Sequence, residues 1–165
     1  MLPKLPGMIS LLVHATLGLL VIGWIVTSNR RVFTRPSGGR WLSPLECAYY
    51  AVGAASVVLG WYFNIRFVRE YATGSGNPFW GQGSWSDYIR LMFTNPAASS
   101  ASQDYTIANV ALLPLLTVVD GYRRGLRRPW LYFVSSLLTS FAFAFAFYFA
   151  TIERQRRHAA ATVDV

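Results

Sequence analysis

Read from its N-terminus, the chain alternates between long apolar runs and short polar, arginine-rich stretches. Four runs stand out: residues 8–28, 45–66, 105–121 and 130–152. A hydrocarbon core of about 30 Å takes about 20 helical residues at a rise of ~1.5 Å each, and three of the runs reach that length. The third is shorter and contains Pro114, yet no charge lies between Asp104 and Asp120, so with its polar ends at the interfaces it spans as well. Within lipid, an open strand would leave backbone N–H and C=O groups without partners. The expectation is therefore an all-α protein, a four-helix transmembrane bundle.

Local signals mark how these helices begin and pack. The second run opens with Ser43 as N-cap, Pro44 at the first helical position and Glu46, whose carboxylate reaches back to free backbone donors. Between the second and third runs lies a long loop, residues 67–104. Its first part, 73–83, is rich in Gly, Ser, Asn and Pro and carries Phe79 and Trp80. Beyond it, Trp85, Tyr88, Ile89, Met92 and Phe93 recur at the spacing of one helix face, with Ser84 and Asp87 as a capping box and Asn95-Pro96 as a stop. A short interfacial amphipathic helix over residues 84–94 follows, lying over the bundle end. In the fourth run Phe141–Phe147 alternates like a strand, but a 23-residue apolar segment in lipid is helical. Its small residues, Ser135, Thr139, Ala142, Ala146 and Ala150, then share a face suited to close helix packing, with Ala144 on another.

Composition and charge refine this picture. With 53% hydrophobic and 13% charged residues, the 165-residue chain has too few charges to cover a soluble globule, and it reads as one membrane domain with a basic polar tail over 154–165. The net charge of +8 sits at helix ends: Arg30, Arg31, Arg35 and Arg40, then Arg123, Arg124, Arg127 and Arg128, then Arg154, Arg156 and Arg157. That placement points to the lipid bilayer and its anionic headgroups as partner, not to nucleic acid. Cys47 is the one cysteine, which excludes an intramolecular disulfide, and a lone intramembrane imidazole excludes haem held by two histidines in one chain. No cofactor is expected. Four spans place both termini with the long loop on one side, which carries seven basic residues against eight in the two short loops. Weighting short loops puts these in the cytoplasm and the termini outside the cell membrane.

Candidate chemistry is sparse. If the helices alternate, His14, Asn64, Arg66, Asp104, Asn109, Tyr148 and Glu153 fall near one membrane face, where polar groups turn inward and find one another. The alternative is structural: Asp104 caps the third helix and Glu153 pairs with Arg156 or Arg157. At the opposite face Asp120 precedes Arg123 and Arg124, at ion-pair spacing, and these with Arg127 and Arg128 form a candidate site for lipid phosphate. Two functions are consistent with these features. One is a non-enzymatic accessory or interaction subunit whose small-residue faces meet a membrane-protein partner or a second copy. The other is a small membrane enzyme or binding protein for a lipid or polyisoprenoid.

Helix two ending in Trp61-Tyr62-Phe63-Asn64, then Phe93-Thr94-Asn95-Pro96-Ala97-Ala98-Ser99 and Asp104, Asp120 before arginines, and a last helix closing on Glu153-Arg154 together resemble the DUF2834 family of small bacterial integral membrane proteins. The resemblance covers roughly residues 48–157 and leaves the first helix as an addition to a three-helix core. It implies a membrane protein of unknown function, with no cofactor or catalytic residue to carry over. Where the family pattern commonly has Glu before the basic loop, this chain has Asp120.

Overall fold

The computed structural model describes residues 5–36, 40–72 and 80–163, and every regular element among them is helical. The first two apolar runs form α1 (Leu5–Ser28) and α3 (Pro44–Tyr71), joined through the single turn α2 (Arg30–Phe33). The start of α3 is a capping box: Glu46 N–H donates to Ser43 Oγ at 3.1 Å and Ser43 N–H to Glu46 Oε2 at 2.7 Å. In the long loop, α4 (Trp85–Leu91) is capped by Ser84 and sets Tyr88 edge-on to Phe67 of α3, ring centroids 5.3 Å apart. Residues 73–79, Phe79 included, lie outside the described residues.

The third apolar run belongs to a longer helix, α5 (Pro96–Arg123), of 28 residues. Asn95 Oδ1 accepts the Ala98 N–H at 2.9 Å, so the Asn95-Pro96 pair that closes the loop helix also starts α5. Asp104, expected at a cap, sits exposed in mid-helix. Pro114 has no N–H to donate, and the helix on both sides of it widens into π-type turns, Ala108–Leu112 and Leu115–Asp120.

The fourth run departs from expectation: it is two helices. α6 (Trp130–Leu138) ends at Thr139, whose φ of −122° and ψ of −88° are not helical, and α7 (Phe141–Val163) starts two residues later. The two fold back on each other, with the Tyr132 and Tyr148 rings 5.1 Å apart and Tyr132 OH donating to Thr151 Oγ1 at 2.9 Å. In one straight helix residues 132 and 151 would stand about 28 Å apart. Nor does α6 reach across a bilayer, since its nine residues rise only about 14 Å. The four-helix transmembrane bundle is thus replaced by three helices long and apolar enough to cross a membrane and a helical hairpin that returns to the end it came from. Hydropathy counts apolar residues and does not register a chain reversal among them.

What permits the reversal is a tip that satisfies its own polar groups. Thr139 N–H and Oγ1 both donate to the Ser135 carbonyl, at 2.9 and 2.7 Å, while Phe143 N–H and Ala144 N–H donate to Ser140 Oγ and O, each at 3.1 Å. Ser140 Oγ lies 2.9 Å from Ser56 Oγ on α3, twelve residues past Pro44, or about 18 Å deep at the helical rise. Backbone irregularity at such depth is tolerated where protein buries it. On the other side Gly18 of α1 makes room, for a Cβ there would stand 3.2 Å from the Thr139 methyl and 3.3 Å from the Leu138 carbonyl oxygen.

The hairpin is wedged between α1 and α3, and the core of Ile25, Leu131, Tyr132, Phe147 and Tyr148 lies where they meet. The small-residue positions pack inside the chain: Ala146 lies against Gly53 of α3, and Ala146 and Ala150 are buried. Ala144, expected on a different and freer face, is buried too. Because α7 returns, its C-terminal half lies with the α1–α3 and α5–α6 connections; Gln155 Nε2, for instance, donates to the Arg124 carbonyl at 3.2 Å. The start of α1 is at the other end of the molecule. The start of α1 and the end of α7 therefore lie at different ends of the described structure, and the expected polar tail is a helical continuation as far as Val163.

Candidate functional site

Three segments rich in arginine meet at one end, residues 30–40, 123–128 and 154–157, and hold eleven of the fourteen arginines against Glu46, Asp120 and Glu153 among the described residues. At the opposite end Arg66, Arg69 and Arg90 are balanced by Glu70, Asp87 and Asp104. The excess positive charge is thus concentrated at one end.

A buried hub organises it. Glu46 is 0% and Arg154 2% exposed; Arg154 Nη1 donates to Glu46 Oε1 at 2.9 Å, and Arg157 pairs with the other carboxylate oxygen. The Arg154 guanidinium also donates to the carbonyls of Val32 at 2.9 Å and Thr34 at 3.1 Å and lies 5.1 Å over the Trp41 ring. A buried charge is costly unless paired and hydrogen-bonded, and the planar five-donor fork of arginine meets both demands at once. The hub straps the connection between α1 and α3 onto α7. Glu153, one residue earlier, pairs with Arg156 at 2.9 Å.

On the neighbouring side Asp120 accepts from Arg124 Nε at 2.6 Å and from Tyr148 OH at 2.8 Å. This carboxylate holds the Arg124 pKa above the usual guanidinium value. Gly121 has no room for a side chain, since a Cβ would fall 2.4 Å from the Pro129 Cβ, and that close approach lets the loop fold back. Asn29, at the end of α1, clamps the same loop: its Oδ1 accepts the Arg127 N–H at 2.8 Å and its Nδ2 donates to the Arg127 carbonyl at 3.1 Å. The clamp engages only the backbone, leaving the Arg127 side chain outward and exposed. Arg128 has a φ of 55°, its guanidinium lies 5.0 Å over the Trp24 ring, and it donates to Ser28 Oγ at 3.3 Å. Between Trp24, Ser28, Tyr122 and these two arginines is a cavity of about 650 Å³.

Of the headgroup candidates, the structure brings Arg127 and Arg128 to one cavity, pairs Asp120 with Arg124, and leaves Arg123 exposed. The other candidate group is not assembled. Arg66 pairs with Glu70 at 2.8 Å on the surface, Asp104 is exposed, and the half-buried Asn64 makes no side-chain hydrogen bond among the described residues. His14 is half-buried one turn before Gly18. Asn109 is buried, accepting from Ser136 Oγ at 2.7 Å and donating to Tyr105 OH at 3.4 Å. Tyr148 and Glu153 lie at the arginine-rich end, because the hairpin inverts the direction that a fourth span would have given them. Asn29, Ser136 and the buried role of Arg154 are additions to the sequence reading. Arg154 carried a signal, standing where a long apolar run stops beside an acid.

Residues 48–154 match the family described as protein of unknown function DUF2834, and the chain belongs to that family. No curated protein and no solved structure matches it. The matched segment contains most of α3, all of α5 and α6, and α7 as far as Arg154; α1 and Glu46 precede it.

Proposed function

We propose that the protein is a non-enzymatic, three-pass protein of the cytoplasmic membrane, whose arginine-rich end rests on the anionic lipid of the cytoplasmic leaflet, and that it serves as an accessory subunit there. The observation that carries this reading is the segregation of charge. Eleven arginines at one end against a balanced opposite end is the asymmetry that sets orientation in the membrane. With the C-terminal arginines on the same side as the short loops, the tail no longer opposes the loops. The N-terminus is then outside and the C-terminus inside. A role without chemistry is supported by the acids at this end, because Glu46, Asp120 and Glu153 are each held by arginine. The small-residue face is used within the chain, so contact with another subunit falls to the exposed faces of α1 and α3, such as Leu19, Leu20, Val58 and Leu59.

The test is cysteine labelling from either side of the membrane in a Cys47→Ala background. Single cysteines at positions 35, 123 and 160 are expected to react from the cytoplasmic side and one at position 80 from outside. Positions 80 and 160 reacting from the same side would reject the hairpin topology, and positions 35 and 123 reacting from outside would reject the orientation.

A further inference from the structure

We infer that the cavity between the end of α1 and the α5–α6 loop is a binding site for the phosphate oxyanion of an anionic phospholipid headgroup. The inference rests on the proposed placement of this end at the membrane surface. Two exposed cations line the cavity, and among the described residues neither has a carboxylate: Arg127 is bonded only through its backbone, and Arg128 is engaged by a ring face and one long hydrogen bond to Ser28. The nearest acid in the loop, Asp120, is already shared by Arg124 and Tyr148. Positive charge is thus gathered and left uncompensated, which is what an anion site requires.

The donor inventory suits phosphate. Arginine presents a planar fork of N–H groups matched to two phosphate oxygens, and none of the five Arg127 side-chain donors is engaged among the described residues. Ser28 Oγ accepts from Arg128 and so keeps its own hydrogen to donate, and the Tyr122 hydroxyl is a further donor on the wall. Thr27 contributes packing instead, because its hydroxyl donates to the Gly23 carbonyl at 2.8 Å. The same wall is amphipathic. Trp24 packs edge-on against Trp130 at 5.9 Å, and paired tryptophans at the end of a spanning helix lie at the headgroup level. This recess is open on one side, and its volume of about 650 Å³ exceeds a bare phosphate several-fold, leaving room beside the oxyanion for the rest of a headgroup. Arg128 holds its left-handed backbone immediately before Pro129, a conformation that arginine adopts only when its surroundings impose it.

Purified protein in neutral detergent, where no lipid surface supplies a general field, is titrated with phosphatidylglycerol, phosphatidylcholine and inorganic phosphate and followed by native mass spectrometry and thermal shift. Phosphatidylglycerol is expected to bind about ten-fold more tightly than phosphatidylcholine, and Arg127→Gln/Arg128→Gln to lose about ten-fold or more of that affinity. The control Arg30→Gln/Arg31→Gln removes equal charge from the same end outside the cavity and is expected to change affinity by about two-fold or less. If the double variant misfolds, Arg127→Gln alone decides, since the Asn29 clamp holds only that residue's backbone. Phosphate inert while phosphatidylglycerol binds identifies a lipid headgroup; phosphate binding as well, and lost in the same variants, extends the site to the free ion. Equal losses in the cavity and control variants, or equal binding of the two lipids, would overturn the site while leaving the topology to the labelling result.

Discussion

Tyr132 and Thr151, nineteen residues apart, share a buried hydrogen bond of 2.9 Å between their side-chain oxygens. That contact exists only because the chain reverses at Thr139-Ser140. It therefore reports on the hairpin directly. Thr151 Oγ1 also donates to the Phe147 carbonyl at 2.8 Å, so it passes on the hydrogen bond it receives and both hydroxyls are satisfied in an apolar setting.

The two partners respond unequally to deletion. Tyr132→Phe removes a donor and leaves Thr151 still bonded to Phe147, at an expected cost of about 0.5–1.5 kcal/mol. Thr151→Val strands the Tyr132 hydroxyl with nothing to accept its proton, at about 1–3 kcal/mol. The double variant should cost little more than Tyr132→Phe, because the stranded donor is gone. Thermal unfolding in detergent checks the order, and additive losses would count against the hairpin contact.

Glu46 and Glu70 both pair with arginine, yet they differ in burial. Arg66–Glu70 has about half of each side chain exposed, and such pairs contribute about 0–1 kcal/mol. Glu46→Gln instead leaves Arg154 buried without its counter-charge, and breaking a buried pair from one side costs about 3–5 kcal/mol. Glu70→Gln should therefore be near neutral while Glu46→Gln lowers the melting temperature clearly. Similar shifts in the two variants would show that the hub is not a buried ion pair in solution.

What was legible in the sequence was local. The Ser43–Glu46 capping box, the Ser84 cap and the apolar lengths of α1 and α3 depend on residues within a few positions of each other, and single-sequence patterns carry that information. The reversal of the fourth run does not depend on hydropathy. Its only trace is the spacing of Ser135, Ser136, Thr139 and Ser140, which also fits a small-residue packing face. Several departures follow from that one ambiguity: Tyr148 and Glu153 belong to the arginine-rich end and so leave the expected polar group around His14, and the C-terminal arginines join the short loops instead of opposing them. The arginine cavity was partly legible, since Arg127 and Arg128 stand next to each other, but its Trp24 wall is about a hundred residues away in the chain.

Glycine positions discriminate close contacts from open ones. An alanine methyl at position 121 would stand 2.4 Å from the Pro129 Cβ, at 53 it would stand 3.2 Å from the edge of the Phe143 ring, and at 60 it meets nothing within 4 Å. Gly121→Ala should thus cost about 1–3 kcal/mol or more by forcing the loop off the helix end, and Gly53→Ala less, as a ring edge can yield. Gly60→Ala should be neutral or stabilising by up to about 1 kcal/mol through helix propensity. Melting temperatures of the three variants test this order, and a Gly60→Ala as damaging as Gly121→Ala would mean that α3 has a partner at that face.

The loop helix α4 carries its own pH dependence. Asp87 accepts the Gly83 N–H at 3.0 Å and pairs with Arg90 at 2.6 Å, and that backbone hydrogen bond, then the guanidinium, hold its carboxyl below the ordinary range. A carboxyl with a depressed folded pKa binds fewer protons in the folded state. The stability it lends is therefore fully present above the unfolded value of about 3.9 and is lost as pH falls through the folded value. Hydrogen exchange corrected for intrinsic rates should show amides in α4 and at Gly83 losing protection between pH 6 and pH 3, while those in the first turns of α5, whose cap is the neutral Asn95, hold theirs. Asp87→Asn should weaken α4 at pH 6 and remove the step, because an amide does not titrate in this range. A step that survives in Asp87→Asn would place the titrating group elsewhere, and the charged cap would then have no part in holding the loop helix at the end of α3.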